Sequence, residues 1–201
     1  TSTLAKNISG MFVEAIIAPS IQPEAAEILS TKKNVRVLLI NNMQQSASGM
    51  QIKSVIGGLL VQENDNSITT ESDLKVVTKR APNDMEMADM LFAFRVCKHV
   101  KSNAITIVKD FQLVGVGAGQ TSRVDSCEIA CKKAQDNSSA QGSFLASDAF
   151  FPFADNIEIA AKYGVKAIIA PKGSIRDQEV IDEANNQGIA LYFIETRHFK
   201  H

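Results

Sequence analysis

Residues 165–171 read VKAIIAP, and residues 13–19 read VEAIIAP. Each is a short run of β-branched and small apolar residues stopped by proline, the pattern of a buried strand. A helical stretch follows each, over 23–29 in the first copy and 176–186 in the second. Another apolar strand closes each unit: VRVLLI at 35–40 and IALYFI at 189–194. Strand, helix, strand therefore occurs twice. A short crossover helix favours parallel pairing of the strands it joins. The fold class this predicts is α/β. The echo has two readings, duplication of one ancestral unit or convergence of two units on similar chemistry, and one matched heptapeptide is compatible with both.

Outward from the echo, the stretches 41–53 and 62–73 are polar and loop-like, with an apolar strand expected over 55–61 between them. A second subdomain is expected to begin near Leu74, dividing the chain into 1–73 and 74–201. Over 83–100, Met87, Met90, Leu91, Phe94, Val96 and Cys97 recur at helical spacing. Asn83 is placed to cap that helix, with Asp84 and Glu86 facing the positive end of its dipole and Lys98, His99 and Lys101 near the negative end. Strands follow over 104–108 and 113–116 with a tight turn at Lys109 and Asp110. A helix over 121–134, a polar loop over 135–142, the segment SFLASDAFFPFADN and a helix ending near Tyr163 complete the middle of the chain.

Apolar residues make up 45% and charged residues 21% of the 201, as in ordinary globular proteins. The net charge is −1 with both signs interspersed, which weighs against a nucleic-acid surface. No apolar run is long enough to span a bilayer. TSTLAKNISGMF lacks the charged and apolar blocks of a signal peptide, so the expected location is cytoplasmic. Cys97, Cys127 and Cys131 are odd in number and do not suit a disulfide framework. Cys127 and Cys131, four apart on a helix, have two readings, buried packing or metal ligation; no Cys-x-x-Cys pair or well-spaced histidine accompanies them, which favours packing.

Several segments carry chemistry. Gly115, Gly117 and Gly119 stand where a strand hands over to a helix, and either form a plain tight turn or bring backbone close to a ligand at a helix N-terminus. GxGxG matches neither the dinucleotide motif nor the P-loop. Arg123 falls in the first helical turn, where a cation opposes the dipole, so it either meets an anion or carboxamide or is an ordinary surface arginine. Asn103 is either a turn residue or a hydrogen-bonding partner for a polar substrate. In SDAFFPFADN, Phe150, Phe151, Pro152 and Phe153 lie between Asp148 and Asp155. That pairing of apolar wall and carboxylate suits a flat heteroaromatic ligand; the alternative is a buried loop with Asp155 or Asn156 capping the next helix. The backbone at Gly173 and Ser174 could line a pocket. The terminal TRHFKH gathers Arg197, His198, Lys200 and His201 around Phe199, as a phosphate cradle or a solvated basic tail. None of His99, His198 and His201 has a nucleophile motif beside it, and His99 is expected to cap its helix end.

Taken in order, KSNAITIVKD, GVGAGQTSRVDS, GSFLASDAFFPFADN, GVKAIIAPKGSIRDQEVIDEAN and TRHFKH resemble the AICAR (phosphoribosyl-aminoimidazole-carboxamide) formyltransferase domain of the bifunctional purine-biosynthesis enzymes. The resemblance extends over essentially the whole chain, from FVEAIIAP onward. It implies two cytidine-deaminase-like α/β subdomains, each three-layered, with mixed, mainly parallel sheets and no deaminase zinc. It implies formyl transfer from 10-formyltetrahydrofolate, as co-substrate, to the 5-amino group of AICAR, with active sites across an intertwined homodimer and without a metal. By motif, it assigns Asn103, Arg123, Phe150 and Arg197 to AICAR, and Val124, Asp155, Ser174 and Ile175 to the folate, with Phe153 and Asn156 as further candidates for that pocket.

The family's catalytic lysine–histidine pair lies upstream of FVEAIIAP, and nothing here matches it; Lys98 and His99 sit on a different helix. The cyclohydrolase domain has no counterpart either. The expectation is a fragment that carries no catalytic residue of its own and has negligible transformylase activity alone, because the histidine would serve as general base and the lysine would stabilise the transition state. The alternative from another class is a non-catalytic nucleotide-binding module. A deaminase-like hydrolase needs a His/Cys zinc set that the sequence lacks.

Overall fold

Residues 1–42, 49–137 and 140–200 are described in the computed structural model. Contacts divide the chain into two units, Thr1–Asn66 and Ser67–His201. The division falls ahead of the boundary expected at Leu74, and hydrogen bonds tie 67–69 to the helix over 84–97 and its C-cap: Arg95 Nη2 donates to Thr69 O at 3.2 Å and Lys98 Nζ to Ser67 O at 2.8 Å.

The first unit opens with α1 (Ser2–Ser9), which the sequence reading did not anticipate; the Thr1 hydroxyl accepts the Leu4 N–H at its start. β1 (Ala15–Ala18), α2 (Pro23–Ser30) and β2 (Arg36–Leu39) form the expected strand, helix, strand, and the two strands pair in parallel from Ala15 opposite Arg36 to Ala18 opposite Leu39. Pro23 sits at the first helical position, where its missing N–H leaves no bond unmade. Ala5, Ala25 and Leu29 are buried, with Ile8, Ile16, Ile21 and Ile28 packed against them. The single strand expected over 55–61 is instead the end of β3 (Met50–Val55), a turn, and the start of β4 (Gly58–Glu63). Gly57 at φ +86° makes the turn, and the apolar Ile56 beside it disguises the turn as strand. Residues 50–53 thus belong to a strand rather than a loop, while 43–48 of that polar stretch lie outside the described residues.

The second unit contains a 3-10 turn (Glu71–Asp73), β5 (Lys75–Val76), α3 (Asp84–Cys97), β6 (Ile105–Lys109), β7 (Gln112–Gly117) and α4 (Arg123–Asp136). Then come β8 (Phe144–Ser147), α5 (Asp155–Lys162), β9 (Ala167–Pro171), α6 (Asp177–Asn186) and β10 (Ala190–Ile194). The strands form one sheet ordered β5-β10-β9-β8-β6-β7. β10, β9 and β8 are mutually parallel; β5, β6 and β7 are added antiparallel, so the sheet is mixed.

Three layers result. On one face α3 packs Met87, Met90, Ala93, Phe94 and Cys97 against Ala146, Ala167 and Ile169. On the other, α4, α5 and α6 bring Cys127, Cys131, Ile157, Val180 and Ala184 onto Ile107, Leu145, Ile168 and Leu191. Neighbouring residues of β9 serve opposite faces, which is why VKAIIAP is apolar throughout rather than alternating.

Asn83 and Glu86 close a capping box at α3: Asn83 Oδ1 accepts the Glu86 N–H and Glu86 Oε2 accepts the Asn83 N–H, both at 3.0 Å. The β6–β7 turn is Asp110 and Phe111, one residue later than expected, both at positive φ (51° and 56°). The buried Asp89 carboxylate holds that turn by accepting the N–H groups of Asp110 (2.9 Å) and Phe111 (2.7 Å). No described helix is long and apolar enough to cross a membrane.

Candidate functional site

The sheet's register gathers the chain segments singled out in the sequence on one edge. Ile105 at the start of β6 lies opposite Gly117 at the end of β7 and Ser147 at the end of β8, while β9 and β10, parallel to β8, run toward the same edge. In open α/β sheets this carboxyl edge is where ligands bind. A cavity of about 480 Å³ lies there, within the usual range for small-molecule sites. Phe150, Pro152, Phe153 and Phe199 give it an apolar wall, and Asn103, Arg123, Asp155 and Asn156 its main polar groups, with Val124 beside them.

Arg123 opens α4 and is buried. The anion it meets in this structure is the protein's own Asp148: Nη1 donates to the Asp148 carboxylate and to Ser147 Oγ at 3.0 Å, and Nη2 to Asn103 Oδ1 at 2.9 Å. Asn103 Nδ2 donates to the carbonyls of Gln120 (3.0 Å) and Thr121 (3.2 Å), so Asn103 pins the loop before α4 as well as lining the cavity.

Asp155 does not cap α5, contrary to one of the expected readings; Ala154 holds that position without a side-chain bond. Asp155 Oδ1 instead accepts the backbone and side-chain N–H of Asn156, both at 2.8 Å. Asn156 is buried and borders the cavity, and its Oδ1, itself enclosed, has no hydrogen-bond partner.

Two arginines stack on the phenylalanines. Arg197 lies 5.0 Å from the Phe150 ring centroid and Arg176 lies 4.8 Å from that of Phe153. Arg197 Nη2 also donates to Lys172 O at 3.2 Å. Gly173, at φ +114°, makes room for it: a Cβ there would stand 2.4 Å from Arg197 Nη2. Ser174 and Ile175 lie on this same loop but do not line the cavity. The N–H groups of Gly173 and Ser174 are taken by the Asp177 carboxylate, at 2.8 and 3.0 Å. The contact of Arg176 with Phe153 was not foreseen, because the two residues lie more than twenty positions apart in the sequence and neither marks the other.

The terminal basic residues disperse. His198 is buried with its ring 4.8 Å from that of Phe94, and Lys200 Nζ donates to His99 O at 2.9 Å. Phe199 alone of this group lines the cavity, Arg197 reaching it through Phe150; His201 lies outside the described residues. The glycines settle on neither reading offered for them as a set. A Cβ at Gly117 would sit 1.8 Å from Ser126 O and one at Gly115 2.1 Å from Ala130 O, so both exist to let α4 lie directly on β7. Gly119, at φ +67°, makes the turn, and none of the three lines the cavity.

Cys127 and Cys131 pack in the core, and a hydrogen bond with Cys131 together with burial pushes the Cys127 thiol well above its ordinary range. That suits a neutral packing thiol rather than a metal-binding thiolate. No group of His, Cys, Asp and Glu that could hold a metal occurs among the described residues.

Residues 1–133 match the family model described as the AICARFT/IMPCHase bienzyme. The bifunctional purine biosynthesis protein PurH of Persephonella marina is 52% identical over 199 residues, which cover 98% of this chain and 38% of that protein. PurH of Chelativorans sp. is 51% identical over 205 residues, with the same shares. The chain therefore spans well under half the length of the curated relatives it matches. Among solved structures, the dCMP deaminase of cyanophage S-TIM5 is similar at 18% identity and a TM-score of 0.38, over 57% of this chain and 100% of that one. A diaminohydroxyphosphoribosylaminopyrimidine deaminase/reductase of Thermotoga maritima is similar at 16% identity and a TM-score of 0.37, over 54% and 36%.

Proposed function

Because the chain belongs to the AICARFT/IMPCHase bienzyme family, we propose that its Ser67–His201 unit holds the substrates of an AICAR formyltransferase in purine biosynthesis. In that reaction the formyl group of 10-formyltetrahydrofolate, the co-substrate, passes to the 5-amino group of AICAR. The observation that carries the reading is convergence: Asn103, Arg123, Val124, Phe150 and Asp155, spread over some fifty residues of sequence, line one cavity. Asn103, Arg123, Phe150 and the stacked Arg197 are assigned to AICAR. Val124 and Asp155, with Ser174 and Ile175 on the neighbouring loop, are assigned to the folate.

The chain's part is to bind and orient. Among the described residues no lysine or histidine lines the cavity, and its carboxylate, Asp155, already accepts two N–H groups of Asn156, so that lining offers no lysine–histidine pair to take a proton from a weakly nucleophilic amine. The 201-residue chain alone is expected to bind AICAR and show negligible formyl transfer. The reading extends to cytidine-deaminase-like subdomains, a cytoplasmic location and a homodimer with sites completed across its interface.

Calorimetric titration of the chain with AICAR, a reduced-folate analogue, and each in the presence of the other tests it. Binding of both, together with no turnover in a formyl-transfer assay, is expected. AICAR binding indifferent to folate would favour a plain nucleotide-binding module, and near-normal turnover would refute the binding-only role.

A further inference from the structure

Asp148 is not among the residues lining the site cavity, yet two of that cavity's polar residues connect to it. It is fully buried at the end of β8. One carboxylate oxygen receives Arg123 Nη1, and the other receives the Ser102 hydroxyl at 2.5 Å. Its backbone is fixed as well: its N–H donates to Ala104 O at 3.2 Å, and its carbonyl accepts the His198 N–H at 2.9 Å. The Ser102 hydroxyl oxygen in turn accepts the Lys200 N–H at 3.1 Å. The carboxylate is thus seated by three separate parts of the chain.

A guanidinium presents its donors in one rigid plane. With Nη1 directed at Asp148 and Ser147, the plane of Arg123 is set, and Nη2 is aimed at Asn103 Oδ1. That bond holds the oxygen of the Asn103 amide from one side, while the carbonyls of Gln120 and Thr121 hold its nitrogen from the other. We propose that Asp148 is a positioning residue: seated by Ser102, it fixes Arg123 and, through Arg123, the amide of Asn103 before ligand arrives. This rests on the reading that the cavity binds AICAR. A group held in place in advance loses less freedom on binding, so the advantage appears as affinity.

The test uses the 201-residue chain labelled with ¹⁵N in its arginines and asparagines, with AICAR as the probe. In the wild type the Arg123 Nη–H signals should exchange slowly, as donors held by a buried carboxylate do. Asp148→Asn should abolish that protection, shift the Asn103 side-chain amide and raise the AICAR Kd about tenfold or more. Ser102→Ala, which leaves the carboxylate but unseats it, should do the same more weakly, raising Kd about fivefold, and carries the test if Asp148→Asn does not fold. Arg123→Ala separates the two readings. If it binds AICAR as tightly as the wild type, the nucleotide reading falls, and the arginine and asparagine signals alone decide the positioning role. Unchanged signals and affinity in the variants that fold would overturn the inference.

Discussion

VEAIIAP and VKAIIAP differ in one residue, yet they meet different surroundings. Ile169 is fully buried, whereas its counterpart Ile17 is 55% exposed. β9 is flanked by β8 and β10 and covered on both faces, while among the described residues β1 pairs with β2 alone. The strand is written in the heptapeptide; the burial comes from what stands beside it. The same holds for the residues that follow. In the second copy the strand runs into Gly173, seated under Arg197; the corresponding residue of the first copy is Ile21, which packs on the small α1–α2 cluster.

The contrast can be broken most directly at the isoleucines. Ile169→Ala should cost about 2–5 kcal/mol, as large-to-small changes in a closed core do. Ile17→Ala should stay within about 0.5 kcal/mol, as at an exposed site. Denaturant unfolding of the two variants measures both, and a cost above about 2 kcal/mol at Ile17 would mean that β1 is covered in solution.

A smaller effect is expected at the loop. Gly173→Ala places a side chain at φ +114° and presses on Arg197 Nη2. About 1–3 kcal/mol of stability should be lost to backbone strain, and AICAR affinity should fall as Arg197 leaves Phe150. Thermal unfolding with calorimetric titration checks both, and an unchanged variant would erase the distinction between the loops.

The least change is expected at the lead-in to the second copy. There Tyr163 donates to Glu128 Oε1 at 2.6 Å, whereas its counterpart Met11 is exposed. The bond to Glu128 pushes the Tyr163 phenol from 10.0 to about 12. Because the folded value is raised, this tie stabilises fully below the unfolded value and is lost as pH rises from about 10 toward 12. Glu128→Gln should return the phenol toward its ordinary value in a spectrophotometric titration, with little change near neutral pH.

How much of this was legible beforehand follows from where each signal resides. The second-copy elements and α3 could be read because their evidence is local: an apolar run and a proline stop in the one, the Asn83 cap in the other. β8 was hidden inside SFLASDAFFPFADN, since four buried residues beside a Phe-rich loop show neither period. The Ile56–Gly57 turn was masked by an isoleucine where a polar residue is usual. At the site, sequence marked Asn103, Arg123 and Asp155, but the resemblance supplied their grouping. The pairing of Arg123 with Asp148, twenty-five residues away, is a product of the β6–β8 register. The role of Gly115 and Gly117 lay equally out of view, because a glycine's reason for being small is the atom it faces.

That last contact bears on heredity as much as on packing. In a saturation library sorted for folded protein, positions 115 and 117 should return glycine alone, because even a methyl group would collide with the carbonyls of α4. A variant that survived by lifting the first turn of α4 would carry Arg123 away from Asp148. Its defect would surface as a weakened grip on ligand, although neither glycine touches the cavity.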